Sequence, residues 1–233
     1  MGGRLDVTVA VLVYRSRRWL DFVLDGLSSA INETRYRLLI VANDPTPEVR
    51  TDSRVTIIHE NPDPTEYYIR RVYRAWNRCI AEARTESVVL LNSDMYASDD
   101  WLDALVACRE ANPTAVPTSL LVESGRIPSA LPSYVMDFGV TPDTFRADDW
   151  VRHADVVRGG LGEMREGGLF MPVLLTKEMI RRAGGYPEDQ AERPGLLTGD
   201  RRFFMRLQQA GYQHVTAMGS VVYHAQEGEM RDG

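Results

Sequence analysis

The chain reads VVLLNSD at residues 88–94, where an apolar run gives way at once to Asn92, Ser93 and Asp94. A short apolar run that stops at turn-forming polar residues is typical of a strand buried on both faces of a parallel sheet. The same pattern occurs earlier in the chain, at residues 5–14, 38–42 and 55–59. We therefore expect four buried strands, several of which carry polar side chains at their carboxyl ends.

Helical periodicity separates these apolar runs. Apolar residues recur at intervals of three and four over residues 17–31 and 66–83, and a further helix is predicted from about residue 99 to 110. Strands that alternate with helices predict an α/β fold with a mostly parallel central sheet flanked by helices.

The second half of the chain has a looser pattern, because prolines become frequent after Pro113 and the apolar runs shorten. We expect it to make a small antiparallel addition, with long loops, to the same sheet. The predicted elements are a strand near 169–174, a helix over 176–182, a helix from about 200 to 210 and a last strand over 220–224. No linker is visible, so residues 1–233 are predicted to form a single domain.

Composition excludes several classes of protein. Of 233 residues, 44% are hydrophobic and 26% charged, which is typical of a folded globular domain rather than a disordered chain. The net charge is −6 and no basic block occurs, so nucleic acid is not an expected partner. No segment approaches the roughly 18 apolar residues of a transmembrane helix. The two cysteines, Cys79 and Cys108, are too few for a disulfide framework and favour a cytoplasmic location.

Ligands of open parallel sheets bind at the carboxyl ends of the strands, which makes the polar residues there the first candidates. Those residues are Tyr14, Asn43, Asp44, Asn92 and Asp94. The turn after the first strand lacks the Gly-x-Gly-x-x-Gly pattern of dinucleotide-binding folds, and no phosphate-binding P-loop motif occurs. The sequence therefore disfavours a Rossmann dehydrogenase and a P-loop nucleotidase.

A set of motifs in a fixed order points elsewhere. The first half contains Tyr14 with Arg17, Asn43-Asp44, Arg71 six residues before Asn77, and Asn92-Ser93-Asp94 followed by Asp100-Trp101-Leu102. The second half adds Gly167-Gly168-Leu169-Phe170, Ala183-Gly184-Gly185-Tyr186, and Thr198-Gly199-Asp200 with Arg206 six residues on. In this order the motifs resemble those of a family 2 glycosyltransferase with the GT-A fold, over about residues 5–224.

The resemblance implies a metal-dependent, inverting transfer of a sugar from a nucleoside-diphosphate sugar to an acceptor hydroxyl. It implies that residues 5–112 form the nucleotide-sugar-binding half of the domain, and residues 113–226 the acceptor-binding and catalytic half. The acceptor would be a glycan, a lipid-linked glycan or a small molecule, in glycan or natural-product biosynthesis. We expect a cytoplasmic protein, peripheral to the membrane if its acceptor is lipid-linked.

A divalent cation, Mn²⁺ or Mg²⁺, is the implied cofactor, because it would neutralise the charge that grows on the leaving diphosphate. Asp94 matches the last aspartate of the Asp-x-Asp motif of the family, and His224 resembles its C-terminal metal-binding histidine. Asn92 replaces the first aspartate of that motif, which lowers the charge of the site.

Asp200 matches the general base of the family. A carboxylate must take the proton of the acceptor hydroxyl as its oxygen attacks the anomeric carbon. The alternative is that Asp200 only caps a helix, since it lies at a predicted helix start. Gly199 replaces the glutamate that precedes this aspartate in the family. Arg201 and Arg202 are expected either to keep Asp200 ionised, to contact phosphate or to lie in solvent.

Nucleotide binding is assigned, by the resemblance, to Tyr14, Arg71, Asn92, Ser93 and one of Asn43 and Asp44. Tyr14 would stack on or flank the base, and Asn43 or Asp44 would bond its edge. Residues 187–197 are a candidate lid. Acceptor contacts by Tyr134, Trp150 or Glu163 stay open.

Two other functions remain in view. The replacements at Asn92 and Gly199 leave room for a non-catalytic nucleotide-sugar-binding module. A sugar nucleotidyltransferase normally has a Gly-rich, basic loop after its first strand, and this chain has none. The sugar, the base, the linkage and the oligomeric state cannot be read from the sequence.

Overall fold

The computed structural model describes residues 7–127, 134–189 and 199–226. Strands and helices alternate in the first half: β1 (Val7–Tyr14), α1 (Arg17–Ser29), β2 (Tyr36–Asn43), α2 (Pro47–Arg50), β3 (Val55–His59), α3 (Tyr68–Glu82), β4 (Ser87–Asn92), β5 (Met95–Ala97) and α4 (Trp101–Ala111). The second half contains β6 (Ala115–Glu123), β7 (Tyr134–Val135), a 3-10 helix (Pro142–Thr144), α5 (Ala147–Val157), β8 (Met164–Glu166), β9 (Val173–Thr176), α6 (Lys177–Ala183), α7 (Gly199–Gln209) and β10 (Gln213–His224).

A single sheet unites the described strands, in the order β3-β2-β1-β4-β9-β6-β10-β5, with β7 beside β6 and β8 beside β10. Strands β3, β2, β1 and β4 are parallel neighbours. Strand β9 runs antiparallel between β4 and β6, and β10 lies parallel to β6. The expectation of an α/β fold with a mostly parallel sheet is confirmed.

Strand β1 shows why the first half was readable from the sequence. The valines at positions 7, 9, 11 and 13 pack on the side of α1 and α4, while Ala10 and Leu12 pack on the side of α3, α6 and α7. Successive side chains of a strand point to opposite faces, so a strand covered on both sides is mostly apolar, and the hydroxyl of the one polar residue inside β1, Thr8, bonds to that of Thr85.

The expected antiparallel addition is present, since β9 is antiparallel to β4 and β6 and β8 is antiparallel to β10. The two long strands of the second half, β6 and β10, are nevertheless parallel to each other. The strand expected at 169–174 lies at Val173–Thr176, and the last strand begins at Gln213 rather than at residue 220. Strand β6 and helix α5 were not predicted. The sequence of β6 looks polar, but Ser119 bonds to Ser220 Oγ at 2.7 Å, so its hydroxyl is satisfied inside the sheet.

Helix α5 contributes to a cluster of buried, mostly aromatic side chains that is separate from the two on either side of β1. Trp150 is 0% exposed there and packs with Phe138 and Tyr223. Trp150 therefore does not contact an acceptor, contrary to the option left open by the sequence. Of the helices in the described residues, none is both long and apolar enough to cross a membrane.

Asp103 of α4 ties down the chain that leads into β2. Its buried carboxylate accepts hydrogen bonds from the backbone N–H groups of Glu33 at 2.6 Å and Thr34 at 2.7 Å, and from the hydroxyl of Thr34. Replacing Asp103 by alanine should lower the free energy of unfolding by about 3 kcal/mol, since buried donors lose a charged acceptor. Urea denaturation of the variant and the wild type measures this difference in the free energy of unfolding.

The control for this prediction is Asp21→Ala, which removes an exposed carboxylate paired with Arg17. Exposed ion pairs contribute about 0–1 kcal/mol. Equal losses in the two variants would show that the Asp103 network does not stabilise the fold.

Candidate functional site

A cavity of about 300 Å³ opens at the carboxyl ends of β1, β2 and β4. Seven of the nine candidate site residues line it: Tyr14, Asn43, Arg71, Asn92, Ser93, Asp94 and Asp200. The ends of parallel strands meet at one edge of the sheet, which brings the first-half residues together. The rest of the lining is mostly apolar and consists of Leu12, Tyr68, Ile69, Val72, Tyr73, Trp76 and Met171.

The eighth candidate, His224, lies next to the cavity. It ends β10, whose antiparallel pairing with β5 sets it opposite Met95, the residue that follows Asp94. The Nε2 atom of His224 is 3.3 Å from Asp94 Oδ2. Sheet pairing therefore joins two residues that are 130 positions apart in the sequence.

Glu123 is a member of this cluster that sequence reasoning missed. It ends β6, is 5% exposed, and its Oε1 lies 3.6 Å from His224 Nδ1. Burial alone would lower the pKa of His224, but the carboxylates of Asp94 and Glu123 outweigh it and raise the pKa to about 9. The signal that could have found Glu123 is an acidic residue that closes an apolar run, as Asp94 does.

The Asp94–His224 pair fits a divalent cation only in part. The described residues contain no group of three or more His, Cys, Asp or Glu side chains arranged to hold a metal ion. Asp94 and His224 nevertheless offer a carboxylate and an imidazole beside the cavity. Hard cations in nucleotide sites take one or two protein ligands and complete their shell with phosphate oxygens. The residues thus suit a cation that binds together with a diphosphate.

Asn43 and Asp44 are separated by the structure. Asn43 is 3% exposed, lines the cavity and has its Oδ1 atom 3.1 Å from His59 Nδ1. Asp44 does not line the cavity and forms an ion pair with Arg15 at 2.5 Å. Of the two alternatives for the edge of the base, Asn43 is the one that faces the cavity.

Positive charge surrounds Tyr14. The guanidinium carbons of Arg15 and Arg71 lie 4.9 and 5.6 Å from the centre of its ring. Arg71 also donates to the backbone oxygen of Asn61 at 3.3 Å, which directs its side chain across the ring. An aromatic ring flanked by guanidinium groups suits a nucleotide, whose base can stack and whose phosphates are anionic.

Asp200 reaches the cavity from another element, the first turn of α7. Burial raises the pKa of its carboxyl from 3.8 to about 6. Burial is the cause of this shift, and the guanidinium of Arg202 lies 3.8 Å from Asp189. A carboxylate with a pKa near 6 is a better proton acceptor than an ordinary aspartate.

Part of the predicted lid lies outside the described residues, since residues 190–198 are not described. The other acceptor candidates stay open. Tyr134 is 44% exposed at the end of the sheet, and the carboxylate of Glu163 accepts from the N–H of Gly160 at 2.9 Å.

No known protein family matches the sequence, and no curated protein matches it. Solved structures do. Residues 1–349 of S. aureus TarS match with a TM-score of 0.60 and 12% identity, and a longer TarS structure matches with 0.61 and 12%. GalNAc-T7 with UDP, GalNAc and Mn²⁺ matches with 0.64 and 11%. The chain has the GT-A fold.

These matches cover 94%, 94% and 96% of this chain, in the same order. The chain in turn spans 60%, 36% and 44% of the three structures. The likeness therefore extends over one GT-A unit that is part of longer chains.

Three of the motifs, one from the first half of the chain and two from the second, meet in this GT-A fold. Asn77 of α3 donates to the backbone oxygen of Tyr186 at 2.9 Å and accepts from its N–H at 2.7 Å. Arg206 of α7 donates to the backbone oxygen of Gly185. A Cβ atom at Gly185 would lie 2.3 Å from Asn77 Oδ1, so a larger residue would displace the amide that bonds the backbone of Tyr186. The three motifs hold α3, α6 and α7 together beside the cavity.

Proposed function

We propose that this chain is an inverting, metal-dependent glycosyltransferase of the family 2 type. It moves a hexose from a nucleoside-diphosphate sugar to an acceptor hydroxyl, with Asp200 as general base. The observation that carries the proposal is the cavity at the strand ends, which the Asp94–His224 pair adjoins and which Asp200 lines with a pKa of about 6.

The base role follows from proton accounting. The acceptor oxygen forms a bond to the anomeric carbon, the bond from that carbon to the diphosphate oxygen breaks, and the hydroxyl proton passes to the Asp200 carboxylate. Attack from the face opposite the diphosphate inverts the anomeric configuration. A base within hydrogen-bond reach contributes about 10²–10⁴-fold to the rate of such a step.

The donor side is assigned to the residues that face the cavity. Tyr14 stacks on the base, Asn43 bonds its edge, and Arg71 with the Asn92-Ser93 turn contacts the ribose and diphosphate. Asp44 keeps Arg15 beside the ring of Tyr14 through their ion pair, so its contribution is indirect.

Asp94 and His224 would hold the divalent cation, which supplies Lewis-acid stabilisation of the leaving diphosphate when bound. Asp94 would bind the cation, and it orients the imidazole ring of His224, because its buried carboxylate lies 3.3 Å from Nε2 of that ring. Glu123 orients His224 from the other side of the imidazole ring at 3.6 Å. Such outer carboxylates fix the ring orientation of metal-binding histidines.

Thermal denaturation with UDP, GDP, TDP and CMP sugars, with and without Mn²⁺, is the first test. UDP is the first probe, because the GalNAc-T7 structure contains UDP and Mn²⁺. At a ligand concentration of 100 times Kd the native state gains about 2.7 kcal/mol. For a chain of this length that is a rise in Tm of roughly 5–10 °C. We expect the rise with one class of nucleotide only, and a larger rise with Mn²⁺ than without it.

A non-catalytic nucleotide-sugar-binding module would give the same shift, so product formation must separate the two functions. Incubation with the stabilising donor and a panel of sugar and small-molecule acceptors, followed by mass spectrometry, gives the answer. A shift without nucleoside diphosphate release in any mixture would favour the binding module. The absence of a shift with every donor would contradict the proposal.

A further inference from the structure

The first turn of α7 is held by a side chain of a different helix. The N–H of Asp200 donates a hydrogen bond to the hydroxyl of Tyr73, on α3, at 3.1 Å. The first N–H groups of a helix have no acceptor inside the helix, so this hydroxyl satisfies one of them. Tyr73 is 3% exposed and lines the same cavity as Asp200.

Gly199 is what allows the ring of Tyr73 to lie there. A Cβ atom at this position would be 2.1 Å from Cε2, 2.3 Å from Cζ and 2.4 Å from the hydroxyl oxygen of Tyr73. All three are parts of a buried, rigid ring, so a larger residue could not be admitted by a small rotation. The glycine that replaces the glutamate of the family motif is therefore matched to a tyrosine 126 positions earlier.

The ring of Tyr73 is itself fixed by stacking. It lies parallel to the ring of Tyr186, with centres 5.5 Å apart, and Tyr186 stacks on Phe203 at 4.2 Å. Phe203 is on α7, three residues after Asp200, so the stacked rings connect Tyr73 to the helix that carries the proposed base. Asn77 anchors Tyr186 through two hydrogen bonds to its backbone.

We propose that Tyr73 is the positioning residue of the general base, and that Tyr73 and Gly199 act as a matched pair. The hydroxyl fixes the backbone of Asp200, and with it the direction of the carboxylate. The proposal rests on the proposed role of Asp200 and adds the group that sets its geometry. Because Tyr73 is on the same helix as Arg71, the donor-side wall of the cavity and the base are held at a fixed separation.

The hydroxyl is tested by Tyr73→Phe, which keeps the ring and removes only the acceptor. We expect the amide hydrogen of Asp200 to exchange at least about tenfold faster, as measured by NMR, because it loses the hydroxyl that accepts its hydrogen bond. We expect kcat to fall about tenfold with the donor KM unchanged within about twofold, the signature of a misplaced base rather than of weaker binding. Tyr212→Phe, which alters a buried tyrosine in the turn between α7 and β10, is the matched control and should change neither quantity.

The pair is tested by a double-mutant cycle on Tm. Replacing glycine by alanine in a helix is ordinarily neutral or stabilising. Gly199→Ala should instead lower Tm by several degrees in the wild-type background. In a Tyr73→Leu background, which removes the ring atoms, Gly199→Ala should cost nothing. Equal costs in both backgrounds would overturn the matched pair without any measurement of activity.

Comparing the activities of Asp200→Asn and Tyr73→Phe distinguishes a failure of this inference from a failure of the proposed function. If Asp200→Asn abolishes transfer while Tyr73→Phe leaves kcat and amide exchange unchanged, the positioning role is wrong and the base assignment stands. If Asp200→Asn transfers normally, the base assignment is wrong, and the positioning role is overturned with it.

Discussion

Replacing Asp200 by asparagine is expected to lower kcat by about 10²–10⁴-fold and to leave donor affinity within about twofold. The amide has the shape of the carboxylate but cannot accept the proton of the acceptor hydroxyl. Donor affinity should survive because the nucleotide contacts are assigned to Tyr14, Asn43 and Arg71, on other elements. Initial rates of nucleoside diphosphate release, with affinity from calorimetry, test both parts.

The pH dependence of kcat/KM for the wild-type protein provides a second test of the role of Asp200. Burial raises the pKa of Asp200 to about 6, so the carboxylate form needed for catalysis is lost as the pH falls below that value. We expect kcat/KM to be half-maximal near pH 6 and constant above about pH 7.

The contribution of Asp200 to the free energy of unfolding should fall as the pH rises, whereas its contribution to the rate should increase. Because the pKa of Asp200 is higher in the folded protein than the ordinary value of 3.8, folding favours its protonated form. Its ionisation therefore destabilises the fold progressively as the pH rises from about 4 to 6, and by a constant amount above that range. Asp200→Asn should be more stable than wild type by about 2–3 kcal/mol at pH 8, with no gain near pH 4.

The control for both measurements is Asp189→Asn, since Asp189 precedes α7 and its side chain is 78% exposed. It should alter neither the rate nor the pH dependence of Tm. Full transfer by Asp200→Asn would exclude the base role, and a stability gain that persists at pH 4 would mean that burial of charge is not the cause.

The sequence predicted the first half of the fold well for a physical reason. Strands β1 and β4 are covered on both faces, so their interiors are apolar except for Thr8 of β1, and the run is visible in the sequence. Strand β6 is as deeply buried, yet it contains Pro117, Thr118 and Ser119. The hydroxyl of Thr118 is satisfied by the backbone oxygen of Val215 at 3.2 Å, a partner on β10 that no local pattern discloses.

The candidate site shows the same division. Polar residues at strand ends could be found because parallel strands end at one edge of the sheet. The choice between Asn43 and Asp44 could not be predicted from the sequence. It depends on which of the two adjacent side chains faces the cavity and which pairs with Arg15. The sequence shows Gly199 only as the replacement of a glutamate, and its fit to the ring of Tyr73 requires the packing of α3 against α7. Glu123 required the pairing of β6 with β10.

Replacing Asp94 by asparagine should remove the metal-dependent part of donor binding. The Kd for UDP in the presence of Mn²⁺ is expected to rise at least about 100-fold, because a neutral amide is a poor ligand for a hard cation. Turnover should fall by about 10³-fold, since charge on the leaving diphosphate is no longer neutralised. Affinity for UDP without Mn²⁺ should change less than about twofold, which makes each protein its own control.

The variant should stay folded, because His224 keeps the carboxylate of Glu123 at 3.6 Å when Asp94 loses its charge. Circular dichroism checks the fold, and Asp155→Asn, which alters an exposed aspartate on α5, is the matched control. Electron paramagnetic resonance of Mn²⁺ titrated into protein with UDP reports the cation directly. If Asp94→Asn holds Mn²⁺ as tightly as wild type does, the cation is bound elsewhere and Asp94 serves only to fix His224. A 100-fold loss confined to the metal-dependent state would instead tie the carboxylate to the cation, since a misfolded site would also lose UDP alone.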